Sequence, residues 1–113
     1  MTDQQYLYRL QLCRGELLTS GPTDAEAQVL QAHAAYVQHL ADESTVLLAG
    51  RTQTDTPDTF GIVIFRAASR AAAQAIMQAD PAVQNGVMQA QLFPYHIASL
   101  APDINVIGQS TEL

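Results

Sequence analysis

At 113 residues the chain is long enough for one domain and too short for two ordinary ones. Apolar residues make up 48% and charged residues 14%, and the formal net charge is −6, with arginines but no lysine. Nucleic acid and anionic membrane surfaces call for clustered cations; here the cations are scattered and outnumbered, which argues against both as partners.

So thin a charged coat leaves apolar surface for a second copy of the chain to cover. The single cysteine, Cys13, excludes an internal disulfide and a cysteine-based zinc cage, and it reads as a small buried hydrophobe at a strand end. No apolar run approaches the roughly 18–20 residues of a membrane span. The start, Met1-Thr2-Asp3-Gln4-Gln5, lacks the basic and apolar regions of a signal peptide, so a cytoplasmic protein is expected.

Residues 6–13 alternate, with Tyr6, Tyr8, Leu10 and Leu12 on one side and Leu7, Arg9, Gln11 and Cys13 on the other. Period two with aromatic residues predicts a strand with one strongly apolar face. Gly15 and Gly21-Pro22 mark residues 14–22 as a loop. Thr23 then caps a helix: Glu26 stands three residues on, as in a capping box, and Asp24 suits the positive end of the dipole. Leu30, His33, Val37 and Leu40 form one stripe of that helix, expected to face the sheet, and Asp42, Glu43 and Ser44 close it.

Residues 45–49 and 60–65 are β-branched and aromatic enough to be strands, joined as a hairpin with a long polar tip around Pro57. Ser69 caps a second helix over residues 70–79. Asp80-Pro81 interrupts it and starts a short turn that ends at Asn85-Gly86. Residues 87–100 supply the last strand, with Pro94 placing a bend or an edge position inside it. The domain is expected to span residues 1–100, and the tail, 101–113, to hold either a short extra strand around Ile104 and Ile107 or an arm across a partner.

Two β-α-β halves in a chain of this length predict an α+β fold, β-α-β-β-α-β, with a four-stranded antiparallel sheet and both helices on one face. This is the ferredoxin-like arrangement. The other face would be bare, which predicts a homodimer through the sheet faces.

Chain direction in such a sheet brings Arg14, His33, Arg51 and Asp80 to one edge. A histidine in an apolar stripe needs a hydrogen-bond partner or stays neutral. Taken alone, His33 reads as a satisfied core histidine and Asp80 as the cap of the Asp-Pro turn. Taken together they are a candidate dyad: the carboxylate fixes the imidazole tautomer and leaves the other ring nitrogen as a general base or acid.

Arg51 would hold an anionic or phenolate oxygen, or is simply solvated. Arg9, with Gln11, Gln89 and Gln91, forms a polar seam inside a dimer or bonds a ligand. Tyr36 lines the pocket or packs. His39 and His96 have no defined partner, and three histidines without repeated spacing do not make a metal site. There is no glycine-rich phosphate loop and no Gly-x-Ser-x-Gly elbow, and no cofactor is expected.

Four features resemble the YciI-like family of the dimeric α+β barrel superfamily. They are Leu30-Gln-Ala-His33-Ala-Ala-Tyr36-Val37, Leu47-Leu48-Ala49-Gly50, Asp80-Pro81, and Gly86 leading to Phe93-Pro94-Tyr95, over roughly residues 5–98. The resemblance implies a ferredoxin-like subunit, a homodimer by sheet-to-sheet packing, and a His–Asp active site on His33 and Asp80. Most members have no assigned reaction. The family includes a dehydrochlorinase acting on a chlorinated hydroxyquinol, and the superfamily includes muconolactone isomerases. This chain departs from the family pattern in carrying Ala82 after Asp-Pro, where an aromatic is frequent, Arg51 after Gly50, where proline is frequent, and a longer tail beyond Leu100.

Two functions stand open at this point. One is a cofactor-independent lyase or isomerase that uses His33 and Asp80 on a small cyclic or anionic metabolite. The other is a non-catalytic metabolite-binding or accessory dimeric module.

Overall fold

Alternation decides the first strand, β1 (Gln4–Leu12): Tyr6, Tyr8 and Leu10 are buried and the residues between them are half-buried. The computed structural model, which describes residues 3–102, continues with α1 (Glu16–Thr19), α2 (Asp24–Asp42), β2 (Val46–Arg51), β3 (Phe60–Ala67), α3 (Arg70–Ala79), α4 (Pro81–Gln84) and β4 (Met88–Pro94). The strands make one sheet in the order β2-β3-β1-β4, with every neighbouring pair antiparallel. The predicted α+β ferredoxin-like fold is therefore the fold of the chain.

β1 sits centrally, so Tyr8 faces Val63 on one side and Leu92 on the other. Its ring packs edge-on against Phe65 at 5.6 Å, an arrangement aromatic quadrupoles favour. Around this pair the core gathers Tyr6, Leu10, Val46 and Val63 from the sheet and Ala73 and Met77 from α3. The apolar side of β1 thus faces the helices.

Helix ends follow the capping residues. The Thr23 hydroxyl accepts from the Glu26 amide at 3.1 Å and the Glu26 carboxylate accepts from the Thr23 amide at 2.9 Å, closing the box at the start of α2. Ser69 accepts from the Ala72 amide at 3.1 Å to start α3. Asp80 ends α3 and begins α4, with Pro81 at the first helical position, where its missing N–H costs nothing. Gly86, at φ 73°, turns the chain out of α4 while the Val87 amide reaches back to the Ala82 carbonyl at 3.0 Å.

Three departures from expectation bear on the site and its strands. A four-residue helix, α1, sits inside the expected loop. The last strand ends at Pro94 and does not run to residue 100. The cause is its partner: β1 begins at Gln4, so beyond the bond from the Tyr95 amide to the Gln5 carbonyl, 3.0 Å, no strand remains to pair with. Cys13 is exposed, because it lies one residue past the end of β1, where only its amide is engaged, to Val87 O at 3.0 Å.

Both expectations for the tail around Ile104 and Ile107 lie outside the described residues. Among those described, no helix is long and apolar enough to cross a membrane.

Candidate active site

Asp80 is fully buried. A carboxylate taken out of water must be met by donors, and here three groups meet it. Oδ1 accepts from the Ala82 amide at 3.0 Å, Oδ2 accepts from the Tyr8 hydroxyl at 2.7 Å, and His33 Nδ1 lies 2.7 Å from Oδ1 and 2.9 Å from Oδ2. The cap of a short helix has become the hub of a three-sided hydrogen-bond cluster.

His33 stands in the middle of α2 with 20% of its side chain exposed. A carboxylate only accepts, so Nδ1 carries the proton of the shared bond and the lone pair of the neutral ring lies on Nε2. Among the described residues Nε2 has no protein partner, and no buried side-chain polar atom lacks one, so Nε2 meets solvent.

His33 also lines a cavity of about 590 Å³ between α2 and the sheet. No residue of α2 is fully buried, and Leu30, His33, Ala34, Val37 and Gln38 form its side of the cavity. Leu10, Leu17, Leu30, Val37 and Val63 give it apolar walls, and His33 and Arg51 are its ionisable lining residues. That volume suits a small organic molecule.

Arg51 ends β2 opposite Gly61. A Cβ at Gly61 would lie 3.2 Å from Gly50 O and 3.7 Å from Arg51 Cβ, so the glycine lets the two strands close together at the cavity rim. The guanidinium is exposed and has no ion pair among the described residues.

Of the four residues expected at one edge, His33 and Asp80 touch, Arg51 shares the cavity of His33, and Arg14 has turned to Glu26. Arg14 Nη2 and Nε meet the two Glu26 oxygens at 2.6 and 3.1 Å. This two-pronged bond, more than any other influence, holds the Glu26 carboxyl down at about 2. It also ties the loop that carries α1, with cavity-lining Leu17 and Pro22, to the first turn of α2.

Tyr36 and Arg9 are not brought to the cavity. The Tyr36 hydroxyl donates to the Ile76 carbonyl at 2.8 Å, joining α2 to α3; burial and then the nearby charge of Asp80 push its ionisation up. Arg9 points to the open face of the sheet, where Nη2 lies 3.1 Å from Gln91 Oε1 and 3.4 Å from Gln11 Oε1. Gln89 stands opposite Gln11 in the same row. His39 pairs with Glu43 at 3.2 Å on the surface. Among the described residues, no group of three His, Cys, Asp or Glu side chains could hold a metal ion.

Sequence reasoning missed Tyr8. Alternation marks it as a core aromatic, and a buried phenol needs an acceptor, but nothing in the spacing says that the acceptor is Asp80. Burial first, and then the charge of Asp80, raise its ionisation far above the ordinary tyrosine range, so the phenol stays protonated and acts as a donor.

The family model of the YCII-related domain matches residues 15–94. No curated protein matches the chain. Among solved structures, TftG, the 5-chloro-2-hydroxyhydroquinone dehydrochlorinase from Burkholderia phenoliruptrix AC1100 in complex with 2,5-dihydroxybenzoquinone, is similar in fold. It aligns with a TM-score of 0.58 and 17% identity over 80% of this chain and 93% of its own. SnoaB, a cofactor-independent oxygenase from Streptomyces nogalater, aligns with a TM-score of 0.45 and 10% identity over 90% of this chain and 99% of its own. The matched segment takes in α1 to β4, with His33 and Asp80 inside it and β1 before it; the protein belongs to the YCII-related domain family.

Proposed function

We propose that the protein is a cofactor-independent lyase or isomerase for a small cyclic, enolisable metabolite that carries an anionic or phenolate oxygen. His33 is the general acid/base, Asp80 orients it, and Arg51 holds the anionic oxygen. The observation that carries this reading is the His33 side chain itself, which lines an apolar cavity and is bonded through Nδ1 to a buried carboxylate at 2.7 Å.

In this mechanism Nε2 takes a proton from a ring carbon next to an oxygen-bearing carbon. That carbon's oxygen is a carbonyl: the C–H electron pair becomes the new C=C bond as the C=O π pair moves onto the oxygen, and the enolate charge there lies beside Arg51. Asp80 stabilises the imidazolium so formed. The enolate can then expel an anion from the adjacent carbon, which leaves with its bonding pair, and His33 returns its proton to water. This is elimination. If instead the imidazolium delivers the proton to a different carbon, the result is isomerisation. A binding screen of cyclic acids and phenols, followed by product analysis for each ligand found, supplies the substrate. A His33→Gln protein that turns that substrate over at the wild-type rate overturns the mechanism.

We also propose that two copies pack through the open sheet faces. Supporting this, Leu48, Phe60 and Phe93 on that face remain 38%, 37% and 41% exposed, and half-buried Leu7 and Ile62 extend the apolar surface across β1 and β3. Of the arginines on this face, Arg9 is already bonded to glutamines of the same face, and Arg66 donates to the Ser44 carbonyl at 2.8 Å. Such a surface suits a two-fold self-association.

A further inference from the structure

We propose that Tyr8 is a positioning residue of the His33–Asp80 pair, its hydroxyl holding Asp80 Oδ2 and setting how much carboxylate charge is left for the imidazole. The role rests on the acid/base reading of His33, but its consequence can be measured on the free protein.

Geometry carries the inference. Tyr8 is fully buried, and its hydroxyl donates to Oδ2 at 2.7 Å from the face of Asp80 that β1 presents. A buried phenol with only a packing role needs any acceptor, and a backbone carbonyl would serve. Here the acceptor is the same carboxylate that holds His33 at 2.7 and 2.9 Å. Each donor that shares a carboxylate draws off part of its charge, so a stronger bond from Tyr8 weakens the pull on the imidazolium, and a lost bond strengthens it.

The other groups around Asp80 leave this arrangement undisturbed. From α2 come His33 and Tyr36, the latter committed to the Ile76 carbonyl at 2.8 Å. α4 and β4 carry no ionisable side chain, and the only one on α3, Arg70, begins the helix whose other end Asp80 closes, about 15 Å away at about 1.5 Å per residue. Tyr8 also lies before the segment matched by the family model, on the strand the match leaves out.

The test is the titration of the His33 ring followed by NMR in wild type, in Tyr8→Phe, and in protein carrying 3-fluorotyrosine at position 8. Loss of the hydroxyl leaves more charge facing the imidazole, so in Tyr8→Phe the midpoint rises by roughly half to one pH unit. Fluorine makes the phenol a stronger donor, so the fluorinated protein shifts the other way. Phe65 still packs on either ring. Opposite shifts support the inference. A midpoint unchanged in both, even with a lowered melting temperature, overturns it and leaves Tyr8 as packing. If Tyr8→Phe does not fold, the fluorinated protein decides alone, with a downward shift for the inference and no shift against it. Asp80→Asn separates the two readings. A midpoint that falls in Asp80→Asn but stays fixed in both Tyr8 proteins sinks the tyrosine role and spares the dyad. A midpoint that does not move in Asp80→Asn sinks both.

Discussion

His33 Nδ1 lies 2.7 Å from an Asp80 oxygen that is at the same time capping α4. The backbone therefore aims the carboxylate before any imidazole reaches it: Pro81 fixes the first φ of α4, and the Ala82 amide fixes the Asp80 side chain. A caps-first arrangement of this kind makes charge and geometry separable by mutation. Asparagine caps helices about as well as aspartate, so Asp80→Asn keeps the turn while removing the charge.

With the acid/base reading, His33→Gln lowers kcat/KM on an identified substrate by about 10²- to 10⁴-fold, the range of a lost general acid or base. Asp80→Asn lowers it by at least about 10-fold with KM little changed, since Asp80 lies outside the cavity lining. Steady-state kinetics of both proteins, alongside melting curves that show them folded, check the pair. Activity that survives both substitutions removes the dyad from the mechanism.

Arg51 is expected to act on binding and not on the proton. A charge-assisted bond to an anion contributes about 1.5–3 kcal/mol, so Arg51→Gln weakens an anionic ligand roughly 10- to 100-fold. A neutral ligand of the same shape loses little. Calorimetric titration of the acid and its methyl ester against both proteins gives the comparison. Equal losses for the two ligands would show that the guanidinium is merely shaping the rim.

Tyr36→Phe leaves the Ile76 carbonyl without its 2.8 Å donor. The expected cost is about 1 kcal/mol in urea unfolding, as for one neutral hydrogen bond. Ligand affinity should stay at wild type, because Tyr36 does not line the cavity. A selective loss of affinity with unchanged stability would return Tyr36 to the binding residues.

What the chain discloses before folding follows from how local each signal is. The box at Thr23 and Glu26, the cap at Ser69 and the Asp80-Pro81 break lie within a few residues, and all set helix ends in the structure. Alternation from Tyr6 to Leu10 is equally local and assigned the buried face correctly. α1 left no trace because four residues between Gly15 and Gly21 are too few to display a helical period. The end of β4 depends on where β1 begins, some ninety positions earlier, which no window on β4 contains. The site divides the same way. Topology brings His33 and Asp80 to one end, but whether Tyr36 turns to the cavity or to Ile76, and which acceptor Tyr8 finds, is settled by side-chain packing across elements.

The Arg14–Glu26 pair predicts a pH signature. Glu26 falls from the ordinary glutamate value of 4.5 to about 2, chiefly through the Arg14 hydrogen bonds. A carboxyl held down in the folded state stabilises it fully above 4.5 and loses that contribution as pH falls through about 2. Arg14→Ala should therefore melt below wild type at pH 7, with the gap narrowing below pH 4.5 and closing near pH 2. Melting temperatures measured across that range check it. A gap that stays constant to pH 2 would mean that Arg14 stabilises by packing and not by its carboxylate partner.

Self-association through the sheet predicts that one charge on the open face separates the subunits. Phe93 stands there opposite Leu7, and at 41% exposure it costs the isolated subunit little to replace. Phe93→Glu puts two buried carboxylates into a two-fold interface, each without a partner, a penalty of several kcal/mol per ion. Sedimentation equilibrium should give twice the subunit mass for wild type and a single subunit mass for the variant. The wild-type melting temperature should also rise with protein concentration, because association stabilises by mass action, while that of the variant stays flat. Leu100→Glu, at a residue 62% exposed and beyond the last strand, is the control and should remain a dimer. A wild-type protein that sediments as one subunit at all concentrations leaves the apolar face of Leu7, Ile62 and Phe93 without the partner argued for it.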